Sequence, residues 1–161
     1  MMSLAVRAAT YATLFVGFFL IAMPARLLVW SGLSSPETIG WPQVIGVAFT
    51  AAGVALTLWC VATFVLVGRG TPAPFDPPQR LVDRGPYAFI RNPMSAAAAL
   101  GMSGAALAYG SCALLIYVVI FLAVMHAIVI GYEEPTLRDT FGAAYDDYCA
   151  RVGRWRPGRL M

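Results

Sequence analysis

The chain has no lysine, a single histidine and three cysteines in 161 residues. Charge is scarce as well: 12% of residues are Asp, Glu, Lys or Arg, against 60% hydrophobic. A soluble domain carries about twice that charge, so this composition excludes one. Cys60 and Cys112 lie in apolar runs and Cys149 in a polar tail. That distribution excludes a disulfide framework, and no pair has metal-ligand spacing, so no metal site is expected. The missing lysine carries no mechanistic weight and reads as a codon bias towards Arg. The net charge of +3 is not a nucleic-acid signature, because the arginines flank apolar runs. Membrane orientation accounts for them, and no nucleic-acid partner is expected.

What is present is a series of apolar runs too long for barrel strands. The expectation is an all-α integral membrane bundle of about four transmembrane helices. A first span runs from about Ala8 to Met23, or to Trp30 if Arg26 snorkels, and Pro24 kinks or ends it. Without a clear small-residue cleavage site, it reads as a retained span. Ser34, Ser35, Pro36 and Gly40 make a turn flanked by Trp30 and Trp41. A second span covers about Gln43 to Val67 and ends at Gly68-Arg69-Gly70. Met94 to Tyr132 holds no charged residue and is too long for one helix. Its expected break is Tyr109-Gly110-Ser111, which divides a small-residue helix from a bulky one. The small-residue helix is short for a full crossing and suits close packing between neighbours.

Between the second and third apolar runs lies TPAPFDPPQRLVDRGPYAFIRNP, residues 71 to 93, with six prolines. Proline fixes φ and removes a donor, so this is a stiff loop. After Pro135, the residues Leu137, Phe141, Ala144, Tyr145, Tyr148 and Val152 form the apolar stripe of a C-terminal amphipathic helix. Arg counts set orientation. Ten arginines fall on one side and only Arg26 on the other. With four spans, both termini and the proline-rich loop are cytosolic, and the protein sits in the inner (cytoplasmic) membrane. The loop and the tail then meet on one face.

At that face stand two adjacent carboxylates, Glu133 and Glu134, at the end of the last apolar run. Charges there need water, a partner or a ligand. Tyr87, Arg91 and Asn92 lie in the loop opposite, and His126 lies seven residues before Glu133, on nearly the same helix face. Arg holds carboxylates bidentately, and Glu accepts from hydroxyls or an ammonium. Pro135 leaves the Gly131 carbonyl without its helical donor. These groups suit a polar, mixed-charge cofactor reached from the cytosol. Other readings of the same residues are interfacial charges, a Glu134–Arg138 surface pair and a histidine bonded to a neighbouring helix.

Three motifs occur in order. They are Arg91-Asn92-Pro93-Met94-Ser95, then Glu133-Glu134-Pro135-Thr136-Leu137, then Phe141-Gly142 with Tyr145 and Tyr148. Together, over roughly residues 68 to 157, they resemble the superfamily of isoprenylcysteine carboxyl methyltransferases and phospholipid methyltransferases. The resemblance implies an integral membrane enzyme that uses S-adenosylmethionine and a lipophilic acceptor arriving from the bilayer. It divides the chain into two N-terminal helices, residues 1 to 67, and a methyltransferase core, residues 68 to 161. It makes Tyr87, Arg91, Asn92, Pro93, His126, Glu133 and Glu134 cofactor-site candidates, with Arg91 and Glu134 the catalytic ones. Ser95 and Ala97 stand where the family usually has Tyr and Gly. Transfer from a sulfonium needs mainly orientation and exclusion of water. A carboxylate acceptor needs no base, whereas an amine must lose a proton, for which Glu134 or His126 is the expected sink. The alternatives are a small four-span transporter, which would place a carboxylate inside a span, and a non-catalytic membrane scaffold.

Overall fold

A backbone removed from water must bond to itself, and the apolar runs meet that demand as helices. The computed structural model describes residues 10, 13–14, 16–32, 38–69 and 78–158, and among these it is all-helical apart from turns and one isolated bridge. Five helices follow in order: α1 (Val16–Trp30), α2 (Trp41–Gly68), α3 (Pro93–Tyr109), α4 (Cys112–Phe141) and α5 (Ala143–Arg151). Two of them, α2 with 28 residues and α4 with 30, are long and apolar enough to cross a membrane. At 1.5 Å per residue they reach about 42–45 Å. The start of the expected first span, the turn residues Ser34 to Pro36 and the front of the proline segment, 70–77, lie outside the described residues.

The boundary between α3 and α4 falls where the turn chemistry puts it. Gly110 takes φ 61°, a left-handed conformation open to glycine, and its N–H bonds the Ala106 and Leu107 carbonyls. Ser111 then caps α4, its Oγ accepting from the Leu114 N–H at 3.3 Å. The small residues of α3 pack against α2. A Cβ on Gly53 would lie 2.5 Å from the Gly101 nitrogen, and one on Gly46 would lie 2.5 Å from the Gly104 oxygen. Thr50 adds hydrogen bonds to the Gly46 carbonyl (2.9 Å) and the Gly101 carbonyl (3.2 Å). Without a hydrophobic drive between helices in lipid, such close backbone approach holds them together. The outward faces stay apolar and uncovered: Leu58, Leu66, Ile116 and Val119 are all exposed.

The C-terminal half departs from the sequence reading. The tail helix was expected to begin after Pro135, but the bulky helix continues through both glutamates and Pro135 to Phe141. A wide π-type turn at Val129–Glu133 makes this continuous, with the Glu134 N–H bonding the Val129 carbonyl five residues back. Pro135 brings no donor and crowds the turn before it, and a wider turn relieves both effects. The break comes at Gly142, whose φ of 54° ends α4. The remaining helix, α5, is only nine residues long. The expected stripe is therefore split: Leu137 and Phe141 belong to α4, while Tyr145 and Tyr148 belong to α5. Both parts still pack into one cluster with Val152 and Leu81.

Candidate active site

The loop before α3 is pinned at both ends. Its Gln79 and Arg80 N–H groups bond the Gly68 carbonyl at 2.9 and 3.2 Å. Gly85, at φ 60°, turns the chain where a Cβ would sit 3.1 Å from Thr63 Oγ1. Tyr87 follows in a short 3₁₀ turn, buried edge-on against Phe64 with centroids 5.2 Å apart. Its carbonyl accepts from the Tyr148 hydroxyl at 2.7 Å. Beyond it, the Arg91 N–H donates to the Gly153 carbonyl at 2.9 Å, inside a parallel bridge between Ile90 and Gly153. The Asn92 side chain donates to the Arg154 carbonyl at 3.3 Å. Pro93 starts α3 and is fully buried.

These bonds bring the loop and the tail together around Glu134. Arg154 grips that carboxylate bidentately, Nε to Oε1 at 2.6 Å and Nη2 to Oε2 at 2.8 Å. Arg91 Nη1 lies 3.1 Å from Oε1. The same Nη1 donates to Cys149 Sγ at 2.8 Å and to the Tyr145 hydroxyl at 3.4 Å. Glu134 is only 7% exposed, so such pairing is what makes its burial tolerable. Arg138 does not serve as its i, i+4 partner, since it pairs with Asp146 at 2.9 Å instead.

Two polar groups stand apart from this network. Arg91 Nε is buried with no hydrogen-bond partner among the described residues. Glu133 is half-buried and makes no hydrogen bond or ion pair among them, and it lines a cavity of about 840 Å³. One end of the cavity is polar, with Tyr87, Arg91, Asn92, Glu133, Glu134, Tyr145 and Tyr148. The other end is apolar, walled by Phe18, Phe19, Leu20, Phe121 and Met125. Ala98 packs with Phe121, Leu20 and Met125, and Ser95 also lines the cavity. Burial first of all pushes the Tyr87, Tyr145 and Tyr148 hydroxyls up, Tyr145 to about 12, so they act as neutral hydrogen-bonding groups.

Of the sequence-derived candidates, Tyr87, Arg91, Asn92, Glu133 and Glu134 converge on this cavity, whereas Pro93 and His126 do not line it. His126 is exposed, and its Nδ1 accepts from the Trp155 indole N–H at 3.0 Å. The reason lies in the π-type turn. The seven-residue spacing puts His126 and Glu133 on one face only of a regular helix, and an extra residue per turn rotates the two apart. Arg154 is the residue that sequence reasoning missed, because its carboxylate partner is twenty positions away and no periodicity connects them.

The cavity fits S-adenosylmethionine on two observations. Its volume lies within the usual range for ligand sites, and its lining brings together a guanidinium, Arg91, and a carboxylate without a partner among the described residues, Glu133, which are the kinds of group an amino-acid-bearing nucleoside requires. A family model described as phospholipid methyltransferase matches residues 41–144. The match takes in α2, α3 and α4, and stops short of Tyr145. Searches among curated proteins and among solved structures return no match. With most of its length covered, including both glutamates and the Arg91-Asn92-Pro93 loop, the chain belongs to the phospholipid methyltransferase family, within the superfamily of integral membrane methyltransferases.

Proposed function

We propose that the protein transfers a methyl group from S-adenosylmethionine to a lipophilic acceptor at the cytosolic face of the inner membrane. The observation that carries this is the two-ended cavity, polar at Arg91 and Glu133 and apolar towards Phe18 and Phe121. The cofactor would supply an activated methyl on a sulfonium. Arg91, whose side chain lines the cavity, would hold the cofactor's carboxylate, with Asn92 and Tyr87 beside it. Glu134 already has both oxygens engaged by guanidiniums, so its role is to fix Arg91 rather than to accept a proton. Glu133 is the open carboxylate. It pairs with a cationic amine and takes the proton that amine must lose before attack. A carboxylate acceptor would meet the Glu133 charge unopposed, so an amine headgroup fits better than an isoprenylcysteine-like acid. Arrangement as four spans, with α1 and α3 as shorter crossings and both termini cytoplasmic, agrees with the Arg distribution. Glu133, without a partner among the described residues, lies in the last third of α4 towards Phe141 rather than midway along it, which leaves a proton-coupled transporter without support.

Calorimetry with S-adenosylhomocysteine on detergent-solubilised protein tests the reading. Micromolar binding that Arg91→Lys weakens at least tenfold is the expected result. No binding at millimolar ligand overturns it. Incubation with labelled methyl donor and lipid extract then identifies the acceptor, and label in an amine-bearing lipid is expected.

A further inference from the structure

Residues 153 to 155, after α5, each make a specific contact. Val152 is extended, Gly153 bridges to Ile90, Arg154 grips Glu134, and Trp155 reaches His126. Gly153 is required here, since a Cβ on it would run into the Arg156 carbonyl. The segment thus crosses from the loop before α3 to the parts of α4 on either side of its π-type turn, and each consecutive residue from 153 to 155 bonds a different partner.

We infer that this segment is a positioning strap, with Arg154 as its working residue and the Trp155–His126 hydrogen bond as its latch. The inference rests on the methyltransferase reading and goes beyond it. Arg91 Nη1 sits within reach of three acceptors, the Glu134, Tyr145 and Cys149 side chains. Which one it favours decides how its guanidinium is presented to the cavity it lines. Arg154 occupies both Glu134 oxygens and shares Oε1 with Arg91 Nη1, so the carboxylate is held from turning and the guanidinium of Arg91 is held through it. The Asn92 bond to the Arg154 carbonyl fixes the backbone from which that grip is made. Arg154 does not line the cavity. It therefore acts through Glu134, and His126 serves the site from outside through Trp155.

The test combines Arg154→Gln, Arg154→Lys, Trp155→Phe and Glu134→Gln in the full chain. Two readouts are used: S-adenosylhomocysteine affinity by calorimetry, and hydrogen exchange of the backbone at residues 90–92. Arg154→Gln is expected to weaken binding at least tenfold and to speed exchange at 90–92. Lysine at 154 makes one contact where Arg makes two, so it should restore part of the affinity. Trp155→Phe keeps the ring but lacks the N–H, and a smaller loss in the same direction is expected. The Arg154→Gln, Glu134→Gln double variant should bind no worse than the Glu134→Gln single variant. Unchanged affinity and unchanged exchange in folded Arg154→Gln and Trp155→Phe overturn the strap, as do additive losses in the double variant. If the wild type binds no S-adenosylhomocysteine, the methyltransferase reading fails, and exchange at 90–92 still decides for or against the strap.

Discussion

Adjacent glutamates in one motif invite equal treatment, yet their surroundings divide the labour. Glu134 is enclosed by two guanidiniums and Glu133 by none among the described residues. Removing the charge at Glu134 leaves Arg91 and Arg154 facing each other without compensation, and hydrogen bonds to charged groups are worth about 2 kcal/mol. Glu134→Gln is therefore expected to lower thermal stability by about that amount and to weaken cofactor binding. Glu133→Gln is expected to leave stability within about 0.5 kcal/mol, as for a residue with no partner to lose among the described residues. Its effect should appear in turnover, with a loss of about 100-fold at saturating cofactor if the group takes the acceptor's proton. Melting curves and methyl-transfer rates for the two variants, measured side by side, decide the division. Equal stability losses would remove it.

Elements were legible in the sequence to the extent that local chemistry governed them. Gly110 and Ser111 marked the α3–α4 boundary because a left-handed glycine and a serine cap act within a few residues. The small residues of α3 marked a close-packed helix for a similarly direct reason. The course of α4 past Pro135 was not legible. Proline breaks regular helices, and its accommodation by a π-type turn depends on how the helix is held beyond it by Leu137 and the α5 tyrosines. That same turn removed His126 from the site. Meeting of the proline-rich loop and the tail was legible from arginine counts, while the Arg154–Glu134 bond inside that meeting was not. The α2–α3 seam gives the element-scale prediction. Gly53→Ala places a methyl 2.5–2.7 Å from three backbone atoms of α3, and overpacking of this kind costs about 1–3 kcal/mol. Gly131→Ala meets nothing within 4 Å and serves as its control. A lower melting temperature for Gly53→Ala alone is expected, and equal melting for both variants would mean that the seam is looser than its glycines imply.

At the scale of the whole molecule, topology depends on which ends of the helices share a side. The long helix α4 begins at the exposed Cys112, and after its end at Phe141 comes α5, which carries the half-buried Cys149. About 45 Å of helix lies between those ends, more than the roughly 30 Å of a bilayer's hydrocarbon core. In the proposed topology the two thiols are on opposite faces of the membrane, with Cys149 and the polar end of the cavity on the arginine-rich side, which the proposal takes as cytosolic. Cys60 is fully buried and contributes no background. A membrane-impermeant maleimide should label Cys112 in right-side-out vesicles and Cys149 only in inverted ones. S-adenosylhomocysteine should slow labelling of Cys149 alone, because that thiol accepts from the Arg91 guanidinium assigned to the cofactor. Labelling of both thiols from one side would mean that α4 does not cross. Labelling of Cys149 from outside would place the polar end of the cavity away from the cytosol, where the methyl donor would not reach it.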